Sequence, residues 1–369
     1  MIDSSVFPRL RAIGLAPAVV QQLAAQQPAS LDDPVLMRVT EVQRESLTLH
    51  DGHTEQPGRM LPALRAQLAA DSDALAVGDW VFAQRNEFGE WWAHQRLPPL
   101  NQLARRLHDG RDKVTRVVIV SNVDTALLVM GLDHDFSLRR LERYVALVRM
   151  AGVSAVVVLT KRDLCLDADA RLREVQGVLP TEVLAVAVDA QGGEPAAALA
   201  PWLGSGQTLV LLGSSGAGKS TLTNALTASH TQDTGANRAG DGRGRHTTTA
   251  RSLHLLPQGG CIIDTPGLRT LRLEGDAQAL GGVFDDIARL ALQCRFRDCG
   301  HDAEPGCAVR TGVSAERLRN YRKLLREARR DTVTALERKA TVQQWKARGR
   351  DARIRACAKR GSEKRGSEL

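Results

Sequence analysis

Eight consecutive residues, Gly213, Ser214, Ser215, Gly216, Ala217, Gly218, Lys219 and Ser220, match the spacing GxxxxGK[ST]. They stand between the apolar run TLVLL and the helical run STLTNALTAS, which begins Ser220-Thr221. The spacing has a chemical reason. Glycines let backbone N–H groups close around phosphates, the lysine reaches the β- and γ-phosphates, and the hydroxyl of Ser220 is offered to magnesium. A strand-to-helix junction is where such a loop works, so the chain is expected to contain an α/β nucleotide-binding domain.

The surrounding sequence agrees. From about Lys113 to Gly275 the apolar runs RVVIV, ALLVM, VSAVVVL, VLAVAV, TLVLL and GGCIID alternate with helical stretches such as 137 to 151. Continuous apolar runs of this length predict a parallel sheet buried on both faces. With 369 residues there is room for more than this one domain. Residues 1–33 read as a helical lead-in with no legible chemistry. Residues 34–100 carry the short alternating runs VLMRVTEV, SLTLHD, VGDWVFAQ and EWWAHQRL, broken by turn signals, which predict a five-stranded OB-type β-barrel. Trp80, Phe82, Trp91 and Trp92 could offer stacking faces to bases there, although core packing is the simpler reading for any one of them. The nucleotide domain is expected over 101–275, a zinc-binding and helical module over 276–340, and a basic tail over 341–369. In the module, a helix from about Ser314 to Arg330 places Leu318, Tyr321, Leu325 and Ala328 on one face.

Two further segments bear on which nucleotide is bound. Asp264-Thr-Pro-Gly267 ends the strand CIID, where Asp264 can hold magnesium through water and the Gly267 N–H can sense a γ-phosphate. Thr160, Lys161, Arg162 and Asp163 end the strand VSAVVVL. A carboxylate at Asp163 can accept from guanine N1 and its 2-amino group, which adenine does not offer, while the Lys161 stem lies against the ring. Alone, TKRD is also a solvated turn; beside a phosphate loop it favours guanine. The order is unusual, because TKRD precedes the phosphate loop, whereas a GTPase ordinarily reads guanine after it. The domain is therefore expected to be circularly permuted, which a compact unit with adjacent termini tolerates.

Cys294, Cys299, His301 and Cys307 supply three thiolates and an imidazole, the complement of a closed tetrahedral structural zinc site with no open position for catalysis. The charge is equally localised. Residues 309–369 hold 19 Lys and Arg against 7 Asp and Glu, a net of +12, while residues 1–308 hold 31 against 35. One basic end predicts a local, salt-dependent polyanion contact, although a solvated face would have the same composition. No apolar run approaches the roughly 18 residues of a membrane span, and the first residues lack the order of a secretory signal, so a cytoplasmic protein is expected.

Together, the VGDWV barrel, the order TKRD, GSSGAGKS, GRGRHTTT, DTPG and the Cys/His cluster closely resemble the ribosome small-subunit-dependent GTPases, the RsgA (YjeQ) family, over about residues 35–330. The resemblance implies GTP hydrolysis stimulated by the small ribosomal subunit during late maturation. Its implied partners are that subunit, its rRNA and GTP/GDP, with Mg2+ and one structural Zn2+ as cofactors, and the chain acting as a monomer. Within Gly242-Arg-Gly-Arg-His246-Thr-Thr-Thr249, Thr248 is the candidate to complete the magnesium shell with Ser220 and Asp264. Ras-like enzymes orient water with a Gln after DxxG; Leu268 stands there, so His246 is the catalytic candidate, with a loop or RNA contact as its other reading. The Ser-Ala pair that supports guanine in the family falls at Ala187-Val188-Asp189-Ala190, where the serine is missing. Two other functions are open: an RNA-binding assembly factor in which GTP only gates affinity, and an ATPase, which Asp163 argues against.

Overall fold

The computed structural model describes residues 6–26, 31, 33–44, 46–108, 114–227, 251–265 and 277–332. The chain begins with two short helices, α1 (Phe7–Arg11) and α2 (Pro17–Ala25), each with a proline in its first turn, where a missing N–H costs no helical bond. Leu10, Ile13, Leu15, Val19 and Leu23 are buried with Leu36, Trp80, Phe82 and Leu97. The lead-in thus completes a hydrophobic core, and two of the four aromatics considered for base stacking, Trp80 and Phe82, are interior. Trp91 and Trp92 are half-buried, with the Arg85 guanidinium 4.8 Å from the Trp91 ring centre.

Five strands follow: β1 (Val35–Val42), β2 (Leu47–His50), β3 (Glu55–Met60), then, after helix α3 (Pro62–Ala70), β4 (Trp80–Arg85) and β5 (Trp91–Arg96). β1 pairs with β2, β2 with β3, β3 in parallel with β5, β5 with β4, and β4 returns to β1. That circuit is a closed five-stranded barrel of OB type, which leaves no open edge within it.

A hairpin of β6 (Gln102–His108) and β7 (Val114–Ser121) comes next as a separate two-stranded sheet. This corrects one expectation. RVVIV lies in β7 and pairs antiparallel with β6, so it does not join the parallel sheet. The physical reason is length: only Asn122, Val123 and Asp124 separate β7 from β8 (Thr125–Gly131), far short of the dozen or so residues a parallel crossover needs.

The nucleotide domain continues through α4 (Leu138–Met150), β9 (Ser154–Thr160), α5 (Ala168–Val178), β10 (Leu184–Ala187), α6 (Glu194–Ala198), β11 (Thr208–Leu212), α7 (Lys219–Thr227), β12 (Ser252–Leu255) and β13 (Cys261–Asp264). Its strands lie in the order β10, β9, β8, β11, β13, β12, parallel except for β12. Alternate residues divide between two cores. Leu128, Val157, Val210 and Ile263 face one side, and Leu127, Val156, Leu209 and Ile262 the other. Leu222 and Leu226 of α7 cover the second side. The first is covered by α4 and by the C-terminal helices α8 (Asp285–Ala291), α9 (Ala308–Gly312) and α10 (Ala315–Thr332), through Leu141, Val145, Ile287, Val309, Leu318 and Ala328.

Two arginine clusters, one buried and one half-buried, tie these units together. Arg38 on β1 is fully buried; its guanidinium donates to the carbonyl of Ile13 in the lead-in, and to the carbonyl of Asn122 at 3.2 Å, and reaches Cys261 Sγ on β13 at 3.4 Å. Backbone pairing of Glu41 on β1 with Ser252 on β12 makes the same join. At the other end, Arg317 of α10 donates to Glu142 of α4 and, at 2.7 and 2.8 Å, to Asp286 of α8, while Asn320 also donates to Glu142. Burial raises the Glu142 carboxyl above its ordinary value, with Arg317 and Asn320 pulling it back down.

Candidate nucleotide site and metal module

The phosphate loop leaves the central strand β11 and turns directly into α7. Gly213 has no room for a side chain, since a Cβ there would lie 2.3 Å from the Val129 carbonyl, and Gly218 takes a left-handed φ of +88°. Lys219 is buried and its ammonium donates to the carbonyls of Gly213 and Ser214 at 3.0 and 2.6 Å, which curls it over the loop. Ser220 and Thr221 are half-buried in the first turn of α7. Asp264 is buried at the end of β13, the strand next to β11.

The predicted guanine segment meets this loop. Thr160, at the end of β9, donates its hydroxyl to the Ala217 carbonyl at 2.7 Å, a bond across 57 residues of sequence. Lys161 then turns the chain with a left-handed φ of 62°. Arg162 pairs with Glu194 at 3.0 Å, and Asp163 is exposed in the turn that follows. The segment 187–190 lies alongside, with the Val188 N–H donating to the Leu159 carbonyl at 2.9 Å. His246, Thr248, Gly267 and Leu268 lie outside the described residues, as does the tail from 341 to 369.

Three participants escaped the sequence reading. Asp133, just beyond β8, accepts from Lys161 Nζ at 2.6 Å; burial opposes its ionisation, but Lys161 and the Asp135 N–H hold its carboxyl below the usual range. Asp135 accepts from Ser214 of the phosphate loop with one oxygen and pairs with Arg140 at 2.6 Å through the other. Thr265 is fully buried and donates to the Leu211 carbonyl at 2.7 Å. A general signal existed for all three: in open α/β sheets, polar groups just past the carboxyl ends of strands gather at the ligand crevice.

Some distance along the chain, Cys294, Cys299, His301 and Cys307 bring their donor atoms within 4.8 Å of one another, a group that can hold a metal ion. Cys294 and Cys307 Sγ are 3.9 Å apart and lie 3.6 and 3.5 Å from His301 Nδ1. Tetrahedral coordination with metal–sulfur bonds of ~2.3 Å and metal–nitrogen bonds of ~2.05 Å requires separations of ~3.8 and ~3.5 Å, so the donor set fits. His301 reaches its place through a left-handed φ of 59°.

A phosphate-loop motif on the central strand, with the TKRD segment on an earlier strand of the same sheet, defines a circularly permuted P-loop GTPase, here preceded by a barrel and followed by a Cys/His module that can hold a metal ion. Sequence comparison narrows the class. Residues 98–274 match the family described as RsgA GTPase. A small ribosomal subunit biogenesis GTPase RsgA of Xylella fastidiosa (strain M23) is 46% identical over 72% of this chain and 79% of its own length. One from Xanthomonas axonopodis pv. citri (strain 306) is 40% identical over 92% of this chain and 93% of its own. The crystal structure of YjeQ from Thermotoga maritima superposes with a TM-score of 0.58 at 25% identity, covering 80% of this chain and 98% of that one. A second structure, YloQ, a circularly permuted GTPase, gives 0.55 at 21% identity over 82% and 98%, a likeness of fold. The chain belongs to the RsgA GTPase family and is a GTP hydrolase.

Proposed function

We propose that this GTPase binds the small ribosomal subunit through its rRNA, hydrolyses GTP in response to that contact, and so times its own release during late subunit maturation. The relatives' names supply the subunit. The observation in this chain that carries the reading is the hydrogen bond from Thr160 to Ala217, which holds the guanine-reading turn against the phosphate loop. In this reading Thr160, Lys161, Arg162 and Asp163 hold the base, and Gly213 to Thr221 hold the phosphates with Gly267 sensing the last of them. Ser220, Thr248 and Asp264 hold magnesium, which neutralises phosphate charge when bound. His246 orients water in place of the side chain that Leu268 lacks. Zinc is the ion that three thiolates and one imidazole at these separations suit, and it serves as a staple. The divisions at 33, 100, 275 and 340 mark the lead-in, barrel, GTPase domain, metal module and basic tail of a monomeric cytoplasmic protein. Among the described residues no helix is long and apolar enough to cross a membrane.

Sedimentation with purified small subunits tests the partner. The chain should travel with subunits in a non-hydrolysable GTP analogue and leave them in GDP. No association in either nucleotide would contradict the reading.

A further inference from the structure

Helices α4 and α10 face each other across a cleft of about 330 Å³ whose lining is strongly cationic. Arg139, Arg140 and Arg143 come from α4 and Arg319 and Lys323 from α10, and no carboxylate lines it. Three of these charges are answered from outside the lining: Arg139 by Glu316 at 2.6 Å, Arg140 by Asp135 at 2.6 Å, and Arg143 by Glu327. Arg319 and Lys323 are exposed and have no acidic partner among the described residues. They stand four positions apart on α10 and present two cations along one face.

The helix ends sharpen the imbalance. The first turn of α4 holds Arg139 and Arg140 and no acidic residue. Cations there face the positive end of the helix dipole, where an anion is favoured. Arg139, Arg140 and Arg143 already have carboxylate partners, whereas Arg319 and Lys323 have none among the described residues, and an anion in the cleft would satisfy both the dipole and these two side chains. An extended polyanion suits the cleft better than a lone ion, because the sequence that follows α10, residues 333–369, carries 11 Lys and Arg against 4 Asp and Glu. A run of phosphates can engage several cations of the lining at once, which a single small anion cannot. Arg140 also shares Asp135 with Ser214 of the phosphate loop, so the cleft wall and the nucleotide loop meet at one carboxylate.

We infer that the cleft between α4 and α10 is a phosphodiester site that grips the backbone of ribosomal RNA. It rests on the proposed rRNA contact and gives that contact a place spanning the GTPase domain and the C-terminal module. Full-length chain loaded with a non-hydrolysable GTP analogue is titrated with small subunits over a series of KCl concentrations. The double variant Arg319→Gln/Lys323→Gln should bind about tenfold more weakly, with a salt slope lower by roughly 1 to 2, as expected when one or two phosphate contacts are lost. A second variant guards against a damaged fold: Glu316→Gln frees Arg139 for phosphate and should tighten binding. Unchanged affinity and slope in both variants would overturn the inference while leaving the rRNA reading in place. If the parent chain itself does not bind subunits, the rRNA reading fails and the cleft with it. If inorganic phosphate raises the melting temperature of the parent but not of the double variant, while both bind subunits equally, the cleft serves a free anion and the inference is wrong.

Discussion

At the scale of single residues, two carboxylates illustrate opposite uses of charge. Asp163 stays exposed just past the end of a buried strand, and the proposed function gives it the purine edge to read. Asp163→Asn replaces an acceptor with a donor facing guanine N1 and should reduce the preference for guanine over adenine nucleotides by roughly a hundredfold, since each hydrogen bond to a charged group is worth ~1.5–3 kcal/mol. Competition binding with GTP and ATP analogues checks this. Asp79, in the VGDW turn, is fully buried, and burial pushes its carboxyl up to about 6 from 3.8, although Arg96 and the Ala76 N–H pull the other way. The folded state therefore binds the proton more tightly than the unfolded chain between about pH 4 and 6. Stability from this group is full below about pH 4 and is lost as the pH rises through 6, a loss of ~3 kcal/mol for a shift of about two units. Asp79→Asn carries no such charge, so denaturant melts should show the variant gaining on the parent by about that amount between pH 4 and 7. A difference that does not change with pH would contradict the assignment.

At the scale of elements, what could be read from sequence was what neighbouring residues encode. The phosphate loop, the buried strands and the metal ligands are local patterns, and the structure places them on β11–α7, on the sheet and around one point. RVVIV was apolar enough for a parallel strand but misassigned, because apolarity reports burial and not partner. Glu142 with Arg317, Arg38 with Ile13, and Asp135 with Ser214 join residues from distant parts of the chain, and only the topology brings them together. The metal module gives the cleanest test of an element. No side chain between Leu292 and Gly306 is buried, so in the proposed reading a bound ion does the work of a core for this loop. Cys299→Ser, or treatment with a chelator, should expose the segment 292–313 to protease and abolish stoichiometric zinc in metal analysis, with GTP affinity largely intact. Structural zinc supplies ~10–16 kcal/mol in peptide modules, enough to decide whether such a loop folds.

At the scale of the whole molecule, the net charge of +8 divides into a mildly acidic body and a basic end. Arg38 and the β1–β12 pairing bind the barrel to the GTPase sheet, and Glu142, Arg317 and Asp286 bind that sheet to α10. Arg38 is fully buried at the first join, and at the second Glu142 and Asn320 are buried beside a half-buried Arg317. The permuted order has a consequence here, because the segment beginning at Asp264 leads on through α8 into the metal module. The most direct test of the account is steady-state turnover of GTP and of ATP, each with and without purified small subunits, in the parent chain and in His246→Ala. The account predicts a large subunit-dependent rise with GTP alone, lost in the variant while GTP affinity is kept. Turnover that subunits do not raise, beside tight GTP-dependent binding to them, would contradict it and make the chain an assembly factor whose hydrolysis is incidental.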